Sequence, residues 1–177
     1  MAAETWTLDP THSALTFSVR HMVISKVRGH FGKFTLDAKL DPQDLPASSA
    51  QLSVDVGSLD TGVADRDGHL RSPDFFDAAA HPALTFVSRK VTVQDQERFS
   101  LQGDLTIRGT TRPVTLQGEF GGTGKDPWGN TRAGFTLKGS LDRREFGLTW
   151  NQALEAGGVL VGEKVEVEAE LELIRKA

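Results

Sequence analysis

Cysteine is absent from this chain of 177 residues. Disulfides, thiolate chemistry, Cys-based zinc sites and iron–sulfur clusters are therefore excluded. Positive charge is in deficit: 20 Lys and Arg stand against 24 Asp and Glu, for a formal net charge of -4. Nucleic acid is not an expected partner, because binding phosphate backbones requires a basic surface. No run approaches the ~20 apolar residues that a membrane-spanning helix needs. The start, Met1 to Trp6, lacks a basic segment followed by an apolar one. No signal peptide is expected, and a cytoplasmic protein is the default. Proline is modest at 7 and glycine abundant at 18, which suits many turns rather than disorder. The length suits one substantial core, and no repeat, low-complexity stretch or linker interrupts it, so residues 1–177 read as one domain.

What is present is a period of two. From Val165 to Leu173 the odd positions are Val165, Val167, Ala169, Leu171 and Leu173, and the even positions are all glutamate. Such alternation makes a β-strand with one dry and one wet face. The same pattern runs through Leu15–Val19, Phe34–Leu40, Leu52–Val56, Phe99–Ile107, Val114–Phe120 and Phe135–Leu141. Leu84 to Val93 is also strand-like but changes parity, which predicts a bulge or a switch of sheet near Ser88. Eight antiparallel strands with one wet face each must hide their dry faces, either as two packed sheets or as a closed barrel. Two segments break the period: a helical turn over Ala64–Arg71, ended by Pro73, and a second short helix expected over Asn151–Ala156 with Asn151 as N-cap.

Size along the dry faces carries the next inference. Gly103, Gly118 and Gly139 take inward positions at mid-strand, as do Ala38 and Ala169. Self-filled barrels place larger side chains there, so these residues can widen an apolar cavity. The alternative is that they relieve bending strain or that a neighbouring Phe fills the space.

The polar residues offer few signs of catalysis. Asp65, Arg66, Asp67, His69 and Arg71 form the densest cluster, readable as a polar gate at the barrel mouth or as an ion-pair network that holds the long connection. Arg143 continues the inward parity at a strand end, where it can meet an anion or pair with Asp142 or Glu145. The five histidines show no metal-ligand spacing, so no metal is expected. No Gly-x-Ser-x-Gly is present, and neither glycine-rich piece has the setting of a phosphate loop. Trp6, Trp128 and Trp150 fall near strand ends, where they can plug the openings; Trp150 can line the ligand entrance, and Trp128 belongs to a tight turn.

Five ordered motifs carry a resemblance that runs nearly end to end. They are Trp6 to Ser13; Arg66 to Ser72 with Asp74 to Asp77; Pro82 with Phe86-Val87-Ser88; Gly103 to Gly109 with Pro113-Val114; and Arg143 to Leu148. Together they resemble the YceI-like family, the polyisoprenoid-binding lipocalin-like proteins, and its branch without a signal peptide. The resemblance implies an all-β fold, an extended eight-stranded antiparallel lipocalin-like barrel with one or two short helices. It implies a long-chain isoprenoid-type lipid inside, a polyprenyl phosphate or pyrophosphate or a quinone, held for storage, transport or protection. It also implies a homodimer and no known reaction. The bound lipid is a ligand rather than a cofactor, and transient membrane contact is compatible with it.

The expected tail contacts are Phe17, Phe34, Leu36, Leu52, Val54, Phe86, Leu101, Gly103, Leu105, Leu116, Gly118, Phe135, Leu137, Gly139, Trp150, Val167 and Leu171. The expected head-group contacts are Arg66, His69, Arg143 and Arg144. The competing reading is an enzyme acting on an isoprenoid or quinone. It requires His12, His21 or His69 within reach of a carboxylate inside the cavity.

Overall fold

The alternating glutamates place Val161–Arg175 as a single long strand, and the rest of the sheet is organised around it. The computed structural model describes residues 3–154 and 158–175. Its strands are β1 (Glu4–Leu8), β2 (Ala14–His21), β3 (Ser25–Phe31), β4 (Phe34–Leu40), β5 (Ser49–Asp55), β6 (Leu59–Asp60), β7 (Ala83–Val93), β8 (Arg98–Ile107), β9 (Thr110–Lys125), β10 (Thr131–Asp142) and β11 (Val161–Arg175). All pairings are antiparallel.

These segments make eight long strands because three are interrupted. Both β1 and β2 lie against β11, through Leu8↔Leu173 and Ala14↔Glu170, so they are one strand broken by the 3-10 turn Pro10–His12. Their partners β4 and β3 are likewise one strand broken at Gly32 and Lys33, and β5 and β6 one strand broken at Val56–Ser58. Since β11 pairs with β10 on one side and with β1 and β2 on the other, the sheet closes. Closure removes the free edges that eight strands would otherwise expose. The expected eight strands correspond one to one with the long strands observed.

The expected parity change in β7 is a register shift between Ser88 and Lys90 against β8. The bulge is locked in place: Ser88 Oγ accepts the amide of Ala50 at 2.8 Å, and Arg89 Nη2 meets Asp104 at 2.7 Å. The helix α1 (Ala64–Arg71) forms as expected, with Ser72 closing it through its N–H to the His69 carbonyl. It lies over one end of the barrel, where Leu70 packs on a cluster of Val54, Val56, Phe75, Leu84, Ile107, Phe146 and Leu148. At the opposite end Trp6, Ala38, Leu40, Ala133 and Leu173 form a second cluster.

The second helix is a correction. Asn151 to Leu154 is not helical, and Glu155 and Ala156 lie outside the described residues. Asn151 Oδ1 accepts the amide of Gln152, the very next residue, whereas an N-cap would accept that of the second or third residue on. Its amide group also takes both backbone groups of Val161, donating to the carbonyl at 2.8 Å and accepting the N–H at 3.0 Å. It acts as a substitute strand partner for the start of β11, and Ala153 bridges to Val159 rather than starting a helical turn.

Candidate functional site

The inward side chains do not fill the barrel. Leu15, Phe17, Leu36, Leu52, Leu116, Val167 and Leu171 point inward, yet each is only half-buried, because its inner face looks onto open space. A packed interior leaves no such gap. The space is a cavity of about 300 Å³ with almost wholly apolar walls. It runs from Leu45 and Ser48 at the β4–β5 end to Phe75, Phe76 and Arg143 beneath α1. On β11 the lining extends from Val161 to Leu173, a stretch of about 40 Å along the strand and roughly 30 Å along a tilted barrel axis. The shape suits a slender chain rather than a compact ligand.

Of the residues expected at the tail, Phe17, Leu36, Leu52, Val54, Phe86, Leu101, Leu105, Leu116, Phe135, Leu137, Val167 and Leu171 line this cavity. Phe34, Gly103, Gly118, Gly139 and Trp150 do not. Phe34 packs against the α1-end cluster from outside the lumen, as does Trp150. Lining residues that alternation does not reveal include Phe31, Leu70, Phe75, Phe76, Phe146 and Leu148. Phe31 ends β3, which sequence alternation misses, and the others come from connections with no period to read.

The glycines have a different role from direct widening. A Cβ on Gly118 would overlap the Phe99 ring, one on Gly103 the Phe86 ring, and one on Gly139 the side chain of Leu116. Gly29 stands in the same relation to Phe17. Phe99 and Gly118 are direct cross-strand partners, and so are Phe17 and Gly29. Each bare glycine lets a large neighbour lie flat on the wall, as paired aromatics do over strand glycines. At Gly103 and Gly118 a neighbouring Phe therefore takes the space, and at Gly139 Leu116 does. The cavity survives because the rings lie along the wall rather than across the lumen.

Arg143 is the one expected head-group residue that reaches the cavity. It is 4% exposed. Nε donates to Gly162 O at 2.7 Å, Nη1 to Leu148 O at 2.6 Å and Trp150 O at 3.0 Å, and Nη2 to Val161 O at 3.2 Å. The Phe75 ring lies 5.8 Å from its guanidinium. Burial pulls its pKa below the ordinary arginine value, against the opposing charges of Glu163 and Asp142. It remains a cation, because arginine starts so high. Backbone carbonyls satisfy its hydrogen bonds, but among the described residues no carboxylate touches it. At this end of the apolar lumen a buried guanidinium is thus held by carbonyls, without a direct ion pair.

The other three candidates are engaged elsewhere. Arg66 donates to the Thr61 hydroxyl and carbonyl, each at 2.8 Å. Arg144 pairs with Asp142 at 2.6 Å and Glu163 at 3.2 Å on the outer surface. His69 Nε2 meets Asp74 at 2.9 Å and sets its ring edge-on to Trp150 and Phe75. The α1 segment is chiefly an internal network. Asp67 is buried there; burial pushes its pKa up, but the Thr61 hydrogen bonds and the charges of Arg71 and Arg66 outweigh that and hold it low.

Among the described residues His12 lies 2.8 Å from Asp9 and 3.3 Å from Glu172, and His69 lies 2.9 Å from Asp74. None of His12, His21, His30, His69 and His81 lines the cavity. The His–carboxylate pair that the enzyme reading requires inside the cavity is therefore not found there among the described residues. Asp9, His12 and Glu172 also approach metal-ligand spacing. Arg132 already occupies that group as its cation, with Nη1 at 2.6 Å from Asp9 and 2.9 Å from Glu172, while its Nε meets Asp126 at 2.9 Å. The cluster ties the β1–β2 break to β10 and β11. Hydrogen bonds from Thr11, His12 and Arg132 hold the Asp9 carboxyl far below the usual range.

Trp6 is 1% exposed and plugs the far end, with the Arg175 guanidinium 5.5 Å from its ring. Trp128 is 79% exposed on the β9–β10 turn and plugs nothing.

Comparison with known proteins places this geometry. The YceI-like domain profile matches residues 6–173. A UPF0312 protein of Staphylococcus epidermidis is 38% identical over 165 residues, covering 93% of this chain and 94% of that one. Among solved structures, BcnA of Burkholderia cenocepacia superposes with a TM-score of 0.82 at 25% identity, covering 93% of this chain and 98% of that one. A domain of Saccharophagus degradans described as polyisoprenoid binding shares the fold, with a TM-score of 0.69 at 15% identity over 95% of this chain and 97% of that one. Among the described residues no helix is long and apolar enough to cross a membrane.

Proposed function

This chain belongs to the YceI-like family, and we propose that its barrel binds a long-chain isoprenoid-type lipid, a polyprenyl phosphate or pyrophosphate or a quinone. The observation that carries the reading is the long apolar lumen with the buried guanidinium of Arg143 at one end. A tail laid along the lumen is held by burial, with each methylene contributing up to ~0.8 kcal/mol before the cost of ordering the chain. The polar end lies toward Arg143, where its charge is drawn to a phosphate or a carbonyl oxygen. The description of the Saccharophagus domain supports the same ligand class. Binding serves storage, transport or protection, and the protein is not an enzyme in this reading. A cytoplasmic location and a homodimer complete it, testable by fractionation and light scattering.

Organic extraction of the purified protein followed by mass spectrometry tests the proposal. The expected result is an isoprenoid or quinone at up to one per chain. Extraction of no lipid, together with no uptake of polyprenyl phosphate or quinone from detergent, overturns it.

A further inference from the structure

The β2–β3 connection breaks a local rule of turn chemistry. Its residues are Met22, Val23 and Ile24. Met22 has φ 53° and Val23 φ 68°. Two successive left-handed residues favour Asn or Gly, and a β-branched residue is strongly disfavoured there. Instead the turn carries three large apolar side chains, exposed by 42%, 59% and 82%. Val159 adds a fourth apolar residue, 37% exposed, in the segment whose Leu160 carbonyl accepts the Met22 N–H. Strain and exposed apolar surface kept together at one tip mark a site where contact is made with something outside the fold.

The surroundings say what that contact is. Arg20, Lys26 and Arg28 are exposed on the two strands that carry the tip. Lys26 is paired with Glu166 at 3.5 Å, and Glu166 also lies within 4.0 Å of Lys164. Among the described residues Glu163 is held by Arg144. Among the described residues Arg20 and Arg28 have no ion-pair partner. Two free cations flank an apolar tip on a chain of net charge -4. Apolar side chains that enter the acyl boundary while arginines meet phosphate headgroups are the chemistry of peripheral binding to an anionic bilayer. The tip also adjoins the Arg143 end of the lumen: His21 pairs with Val161, whose carbonyl Arg143 holds.

We propose that the Met22–Val23–Ile24 tip docks the Arg143 end of the barrel onto an anionic membrane surface. The docking stands apart from the identity of the bound lipid, so each can fail alone.

Vesicle flotation tests it, with phosphatidylcholine alone and with phosphatidylcholine and phosphatidylglycerol in equal parts. The protein is expected to float with the anionic vesicles at low salt and to be released as salt rises. Ile24→Glu is expected to weaken that binding about tenfold, and Arg20→Gln or Arg28→Gln about fivefold each. Trp128→Ser, at the opposite end of the barrel, is expected to leave it unchanged. Thermal unfolding and uptake of quinone from detergent stay at their original values in all four variants, which separates loss of docking from loss of fold or cavity. Absence of flotation with anionic vesicles, an unchanged Ile24→Glu variant, or an equal loss with Trp128→Ser overturns the proposal. So does a dimer that Ile24→Glu converts to monomer without any vesicle binding, because the tip then belongs to a second copy of the chain.

Discussion

Two arginines, one toward each end of the barrel, are treated in opposite ways. Arg132 is surrounded by the carboxylates of Asp9, Asp126 and Glu172. Those hydrogen bonds raise its pKa, while Thr11, His12 and Arg132 together lower that of Asp9, so this cation is directly ion-paired and the cluster acts as a clamp. Arg143 is equally well hydrogen-bonded, but by the carbonyls of Leu148, Trp150, Val161 and Gly162. Carbonyls satisfy its donors without cancelling its charge. A purely structural site favours the first solution, since a buried unpaired ion is costly. The second makes sense where the charge has an outside partner, and here the guanidinium lies at the end of a lumen with almost wholly apolar walls.

The sharpest way to break this contrast is Arg143→Met. It leaves four carbonyls without donors and is expected to cost about 3 kcal/mol or more, read by urea unfolding. Arg143→Lys keeps the charge but not the planar fork, and is expected to recover part of the stability and most of the affinity for polyprenyl phosphate. Equal affinity for polyprenyl phosphate in folded Arg143→Met and in the unmodified protein would show that the charge serves only the fold.

Next in size is the wall. Gly118→Val is expected to destabilise by about 1–3 kcal/mol through collision with the Phe99 ring. Adding Phe99→Leu is expected to return much of that loss, since the ring is the obstacle. Equal destabilisation in the single and double variants would break the pairing argument.

The smallest effect belongs to the ion-paired end. Asp9 has a folded pKa below its unfolded value, so its contribution to stability is complete above the unfolded carboxyl pKa. That contribution is lost as pH falls through the lower folded value. Melting temperature is therefore expected to drop below about pH 4, and Asp9→Asn to flatten that limb while lipid uptake at neutral pH is unchanged. An acid limb as steep in Asp9→Asn as in the unmodified protein would remove Asp9 from the account.

Most of the barrel was legible because strand parity is a local signal. The alternation in β11 and the parity break at Ser88 both translate directly into register. β1 and β3 were not legible. β1 is short and offers only the pair Trp6 and Leu8 on its inward face, and β3 has Gly29 where a third apolar residue would complete the pattern. The walls of the site were legible for the same local reason. Its closed end was not: Phe75, Phe76 and the carbonyls around Arg143 come from connections whose chemistry is backbone, and carbonyls leave no mark in a sequence. The inward glycines pointed to the right region for a different reason, since they accommodate rings rather than ligand.

The central claim, that the lumen is open space shaped for a chain, is tested most directly by native mass spectrometry of the protein and of Ala169→Phe after exposure to a polyprenyl phosphate. Ala169 lines the lumen at mid-strand, opposite Leu15 and Leu137. One lipid per chain in the unmodified protein, and none in a folded variant of equal or higher melting temperature, is the predicted result. Equal uptake by both proteins, or by neither, would contradict it.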